Sequence, residues 1–182
     1  MALASRSLWT GRLAGPLGRM VHIAASEEAI VQVSIGISRR GFLDLLEGRF
    51  GVRARQFADH ELIWAATAQL KEYFAGQRRR FRLPLALEGS PFQMRVWQAL
   101  QQIPYGQTRS YQELARAIGA PRAARAVGAA NGANPIAILV PCHRVIRSGG
   151  ELGGYSAGRR LKQFLLDLER SVIEGPPPHP NA

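Results

Sequence analysis

The chain has 182 residues, enough for one large domain or two small ones, and 46% of them are hydrophobic, enough for a core. Its formal net charge is +11, nearly all of the positive charge is arginine, and both halves carry it; this favours a polyanionic partner, nucleic acid first and acidic membrane second, over the plainer reading of a solvated basic surface. One cysteine excludes an intramolecular disulfide, His22, His60 and His179 are scattered with no zinc-ligand spacing, and no apolar run approaches the roughly 20 residues needed to cross a bilayer.

Residues 1–20 contain Arg6, Arg12 and Arg19 and no acid, and read as a disordered extension or a first strand, with a faint transit-peptide character. Val31, Val33, Ile35 and Ile37 alternate with Gln32, Ser34, Gly36 and Ser38, the pattern of a half-buried strand, and Val21 and Ile23 suggest its partner across a turn at Ser26-Glu27-Glu28. Phe42, Leu45, Leu46 and Phe50 switch to helical spacing. A second amphipathic helix carries Leu62, Ile63, Ala66, Leu70 and Phe74 and ends near Gly76. The basic run 77–82 reads as a solvated face, and Phe81 to Leu85 as an extended return to the sheet or a linker. This half contains no catalytic constellation.

Ser90-Pro91-Phe92-Gln93 combines a helix cap, a first-turn proline and a capping-box glutamine. Ser110 and Glu113 open another capping box, and Gly119 ends that short helix. A further helix spans Arg122 to Asn131. Helix, glycine-containing turn, helix is the helix-turn-helix pattern. Its second helix is dominated by alanine and glycine, with Arg122 and Arg125 supplying charge. Such a surface suits close, sequence-independent approach to a duplex, including its minor groove; a buried small-residue helix is the plainer alternative. Asn131 to Pro135 reads as a turn cluster. The apolar run 136–140 then delivers Pro141-Cys142-His143-Arg144-Val145-Ile146. A lone cysteine is ordinarily a small buried hydrophobe, and a nucleophile needs a base or positive field to make the thiolate. After the glycine-rich stretch 147–156, a last helix over 158–171 buries Leu161, Phe164, Leu165, Leu168 and Val172, with Glu169 at the edge of that stripe. A carboxylate on an inward-facing edge needs a partner, and histidine is a natural one; a solvent-side Glu near the helix end is the equally plain alternative.

The second half closely resembles the O6-alkylguanine-DNA alkyltransferases, also called methylated-DNA–protein-cysteine methyltransferases. The resemblance rests on Pro-Cys-His-Arg-Val at 141–145, Arg-Ala-Val-Gly at 125–128, Asn-Pro at 134–135, Ser-Tyr-Gln-Glu-Leu-Ala at 110–115, Gly-Tyr-Ser at 154–156 and Glu169. It implies an α/β (α+β) protein: a small N-terminal sheet-plus-helix domain (1–87), a mainly helical, winged-helix-like domain with the helix-turn-helix (88–172) and a disordered tail (173–182). It implies DNA repair by direct reversal: base flipping, then a single irreversible transfer of the alkyl group from O6-alkylguanine, and from O4-alkylthymine, in double-stranded DNA. The expected agent is a cytoplasmic monomer with no cofactor, no metal and no membrane partner. By the same resemblance Cys142 is the acceptor, His143 the base acting through a water, Glu169 its orienter and Asn134 a hinge. Tyr111 helps rotate the phosphate and donates toward the base, Arg125 enters the duplex, and Tyr155 and Ser156 shape the guanine pocket; Arg122 is read as a DNA contact from its charge alone. The carbonyls of Cys142 and Val145 read the exocyclic amine. Two other classes stay in view: a module that binds alkylated DNA without transfer, and a cysteine hydrolase. The latter leaves the helix-turn-helix unexplained.

Overall fold

The structure is a computed structural model and describes residues 7–51, 55–56 and 60–175. Residues 1–6 and 176–182, which hold the very start of the arginine-rich segment and most of the expected tail, lie outside the described residues. The described residues form two compact units: one from residue 7 to 89 with 134–139, the other 90–133 with 140–175.

The first unit is built on the sheet β3-β2-β1-β4, with β1 Trp9–Ala14, β2 Met20–Ala25, β3 Ile30–Ile35 and the two-residue β4 Arg55–Gln56. β1, β2 and β3 are antiparallel neighbours, and β4 runs parallel to β1. Of the two readings of residues 1–20, residues 9–14 form a first strand. Helices α1 (Arg39–Phe50) and α2 (Glu61–Phe74) cover opposite faces. Phe42 and Leu46 of α1 pack with Ala24 and Val31. Gly11, which pairs with Ile23, lies under Ile63 of α2 so closely that a Cβ there would sit 2.3 Å from the isoleucine methyl. Ile23 and Ala24 are successive residues and point to opposite faces. The double cover corrects the expected half-buried strand: Gln32 is buried too, its amide oxygen taking a hydrogen bond from Arg49 Nη1 at 2.9 Å.

The outer edge of β3 is also covered. Ile30 bridges Leu85, so the extended stretch 81–85 returns to the sheet, and Val33 bridges Ile136. Val33 N–H donates to Pro135 O and Val33 O accepts from Ala137 N–H. The backbone groups of an edge strand are thereby satisfied rather than left as a template for another chain.

The second unit contains α3 (Pro91–Gln101), α4 (Tyr111–Ala117), α5 (Ala124–Gly132) and α6 (Arg159–Glu174), with two short parallel strands, β5 Arg109–Ser110 and β6 Val145–Ile146. Both capping boxes form as the sequence predicts, Ser90 with Gln93 and Ser110 with Glu113. α5 packs on α3 and α4, and Trp97 Nε1–H donates to Ala130 O at 2.8 Å. Three boundaries differ from expectation. α5 begins at Ala124 rather than Arg122, it includes Asn131 and Gly132 rather than releasing them to a turn, and α6 runs on to Glu174, so residues 173 and 174 are helix rather than tail.

Candidate active site

The apolar run before the cysteine is not a strand. It folds through two three-residue turns. Leu139 N–H donates to Ala137 O across Ile138, which sits at φ 72°, and Cys142 N–H donates to Val140 O across Pro141 at φ −81°, ψ 60°. The second has the dihedrals of a common inverse γ-turn; the first is the rare left-handed form, costly for a β-branched residue by about 1–3 kcal/mol. A 3-10 turn over Cys142–Arg144 follows. With roughly three residues per turn, three successive side chains fan in three directions, so neighbours in sequence take separate tasks.

His143 and Arg144 both reach Glu169 on α6. His143 Nε2 lies 2.9 Å from Glu169 Oε1. Arg144 Nη2 donates to Oε1 and Nε to Oε2, each at 2.9 Å, and Nη1 donates to Ile103 O at 2.7 Å. Gly106 N–H adds a further bond to Oε2 at 2.9 Å. His143 and Glu169 have no exposed surface. Burial works to raise the Glu169 carboxyl, but hydrogen bonds and charge from His143 and Arg144 outweigh it and bring the pKa to about 2. Burial, aided by Arg144 and Lys162, holds His143 below its ordinary value against the pull of Glu169. At neutral pH the imidazole is therefore neutral, and the permanent charge facing the carboxylate is Arg144. With the Nε2 proton on the carboxylate side, Nδ1 carries the basic lone pair.

Cys142 faces a cleft of about 360 Å³, within the range of small-molecule sites. One wall is α4 and α5, with Tyr111, Gly128, Asn131 and Gly132; the other is the loop with Arg147 and Gly153 to Ser156. Asn131 Nδ2–H donates to Cys142 O at 3.2 Å and ties α5 to the reactive turn. The Tyr155 hydroxyl is buried beside Cys142; burial first, then the neighbouring thiol, pushes its pKa well above the ordinary value. Tyr111 is raised by the same two causes, burial being the larger. Gly153 stands at φ 68°, and a Cβ there would be 2.9 Å from the Tyr111 hydroxyl. Among the described residues no cluster of three or more His, Cys, Asp or Glu could hold a metal.

Two family descriptions match the chain: 6-O-methylguanine DNA methyltransferase, ribonuclease-like domain, over residues 12–87, and the DNA binding domain of the same enzyme over residues 91–171. A methylated-DNA–protein-cysteine methyltransferase of Methanosarcina barkeri is 51% identical over 133 residues, 72% of this chain and 84% of that one. The constitutive enzyme of Bacillus subtilis is 44% identical over 156 residues, 85% and 91% of the two chains. The Mycobacterium tuberculosis OGT crystallised with DNA superposes with a TM-score of 0.77 at 42% identity, covering 90% of this chain and 94% of that one. The chain belongs to the methylated-DNA–protein-cysteine methyltransferase family.

In this methyltransferase, Cys142, Tyr111, Tyr155 and Ser156 line one cleft, and His143 and Glu169 pair behind it. Val145 is buried in β6. Arg122 and Arg125 are exposed, one just before α5 and one in its first turn. Asn134 lies in the segment that clusters with the first unit, where its Oδ1 accepts from Ile136 N–H at 3.0 Å. Sequence reasoning overlooked three side chains. Arg144 lies inside the Pro-Cys-His-Arg-Val motif but has no task in the sequence reading. Asn131, read as a turn former, is the helical asparagine that meets the cysteine carbonyl. Lys162 is fully buried on α6. Its signal was available: it precedes Glu169 by two helical turns and shares the face of Leu165 and Leu166, where a lysine is out of place.

Proposed function

We propose that the protein repairs duplex DNA by taking the alkyl group of a flipped O6-alkylguanine onto Cys142 Sγ. The observation that carries this reading is the placement of the single cysteine at the floor of a small-molecule-sized cleft, in front of a buried His143–Glu169 pair, in the unit that also holds the helix-turn-helix. His143, neutral at the working pH, takes the thiol proton through a water, and Glu169 fixes the ring. The thiolate attacks the alkyl carbon in line with the C–O6 bond; the S–C bond forms, the C–O6 bond breaks, and its electron pair leaves on guanine. Tyr111, whose raised pKa keeps it protonated, supplies a donor to the developing anion. The product is a thioether with no route back, so each molecule reacts once.

The residue roles that the family resemblance implies are supported by where these groups lie. The carbonyl of Cys142 accepts from Asn131 Nδ2–H and from the backbone N–H of Val145, and that of Val145 accepts from Lys162; the family resemblance assigns both carbonyls to the exocyclic amine of guanine. Tyr155 and Ser156 close the guanine pocket. Arg125, exposed at the start of α5, enters the duplex where the base has left, and Arg122 meets a phosphate. Asn134 acts as the hinge ahead of the reactive turn. O4-alkylthymine offers the same C–O bond and is a second substrate. The protein acts as a monomer without cofactor, in the cytoplasm.

The test is intact-protein mass after incubation with a duplex carrying one O6-methylguanine. One methyl group gained per chain and mapped to Cys142 is the expected outcome. A folded protein that holds the duplex and gains no mass would make it a recognition module instead.

A further inference from the structure

The basic run 77–82 lies in the first unit and has no part in the cleft that holds Cys142. In sequence it reads as a solvated face, but its backbone is braced more than a solvated face requires. After α2, Gly76 turns the chain at φ 73°, and Gln77 N–H donates to Glu72 O at 2.8 Å. Arg78 folds back on the loop: its Nε donates to Glu72 Oε2 at 2.6 Å and its Nη1 to Arg80 O at 2.9 Å. Gln69 of α2 grips the backbone of Arg82 with both ends of its amide, Nε2 donating to Arg82 O at 3.1 Å and Oε1 accepting from Arg82 N–H at 2.8 Å. Phe81 turns inward, its ring centre 5.3 Å from that of the buried Tyr73.

This bracing divides the run by task. Arg78 and Phe81 hold the loop, while Arg79, Arg80 and Arg82 are exposed, as is Lys71 at the end of α2. Glu72 is the only acid between residues 62 and 87, and Arg78 pairs with it. Like charges crowded into a short stretch repel one another, and such blocks are ordinarily disordered. Here hydrogen bonds and an aromatic contact keep them together. A polyanion relieves the repulsion, and a loop already braced loses less conformational freedom when it binds one.

We propose that residues 79–82 form a second nucleic-acid contact, in addition to the helix-turn-helix, which takes the phosphodiester backbone without regard to sequence. Arginine suits this task, because its planar fork of N–H donors matches the oxygens of a phosphate. The same residues argue against an anionic bilayer. A segment that lies on a membrane adds apolar side chains to its basic ones, whereas the one aromatic of this run is turned inward against Tyr73. The proposal goes beyond the alkyl transfer given above and does not depend on it.

The experiment compares the full-length protein with Arg80→Ala/Arg82→Ala and with a charge-matched control, Arg12→Ala/Arg40→Ala, which removes two exposed arginines elsewhere in the same unit. Fluorescence anisotropy on a lesion-free duplex is measured across a salt series. The Arg80/Arg82 variant is expected to lower the slope of log affinity against log salt by about 2 and to weaken binding at low salt by at least about fivefold, while the control stays close to the unsubstituted protein. An unchanged slope in the folded Arg80/Arg82 variant overturns the proposal. An equal fall in the control overturns it too, because the effect is then one of net charge alone. Cosedimentation with vesicles of phosphatidylserine and phosphatidylcholine tests the other partner: lipid binding that the Arg80/Arg82 variant loses, with its duplex slope unchanged, would reassign the loop to a membrane surface. The single-turnover rate on saturating O6-methylguanine duplex is expected to stay within about twofold in the same variant; a large loss of that rate with an unchanged slope would make the loop part of the transfer machinery and overturn the proposal.

Discussion

Glu169 is where the two basic side chains of the reactive turn converge. Its folded pKa of about 2 lies below its ordinary 4.5, so the stability it contributes is complete above pH 4.5 and disappears as pH falls toward 2. The size is on the order of 3 kcal/mol. His143, held neutral, adds a loss in the same direction: below pH 6.5 the unfolded chain takes up a proton that the buried imidazole refuses. Thermal melting from pH 7 down to pH 3 is expected to show both losses. Glu169→Gln should lower the melting temperature at pH 7, because Arg144 is left as a buried unpaired charge, and should flatten the acid limb below pH 4.5. The variant's transfer rate should fall with the loss of the ring's orienter. A Glu169→Gln protein with an unaltered acid limb would place the linkage elsewhere. At this scale the sequence was partly legible. Cys142 and His143 announce themselves by adjacency in a motif, and Glu169 by interrupting an apolar stripe. Arg144 and Lys162 were missed because a cation is ordinarily assigned to solvent, and only the folded chain shows carbonyls and a carboxylate waiting inside.

The glycines around Tyr111 separate two kinds of smallness. Gly128 on α5 faces the Tyr111 ring with room for a methyl group at 3.7 Å, whereas Gly153 combines φ 68° with a 2.9 Å approach to the Tyr111 hydroxyl. Gly128→Ala is therefore expected to leave melting temperature and transfer rate nearly unchanged. Gly153→Ala should cost about 1 kcal/mol in backbone strain and, by displacing Tyr111, slow the transfer by tenfold or more; single-turnover kinetics on the two variants side by side decides this. Equal rates would mean that Tyr111 need not keep its place. Helix starts were the most legible elements, since Ser90 with Gln93 and Ser110 with Glu113 act within one turn of chain. The end of α5 was not. Asn-Gly is a strong local turn signal, but here Asn131 donates to the cysteine carbonyl and Trp97 anchors Ala130, so tertiary contacts hold the helix two residues further. The conformation of the run 136–140 was not legible for a related reason: its apolar character reports burial, not conformation, and Ile138 is turned over at φ 72°.

For the whole molecule, the net charge of +11 sets how it meets a polyanion. Duplex affinity is expected to fall steeply with salt, and Arg122→Ala should reduce the slope of log affinity against log salt by about 1, with little dependence on DNA sequence. Fluorescence anisotropy across a salt series measures it; a slope unchanged by the substitution would remove Arg122 from the phosphate contacts. Two strands and both helices of the first unit could be read from periodicity, but β4 and the unit's claim on residues 134–139 could not, since Val33 and Ile136 are far apart in sequence and no local pattern announces their pairing. That pairing fixes an order of manufacture. The strand holding Val33 leaves the ribosome about 100 residues, on the order of ten seconds, ahead of the segment it will receive. The edge of β3 is thus a finished template when Pro135 and Ala137 arrive, and the kinked entry to Cys142 is cast against it. Glu169 emerges later still. A chain stalled between the two carries a thiol without the carboxylate that steadies its base, so the reactive centre is armed only after α6 has emerged.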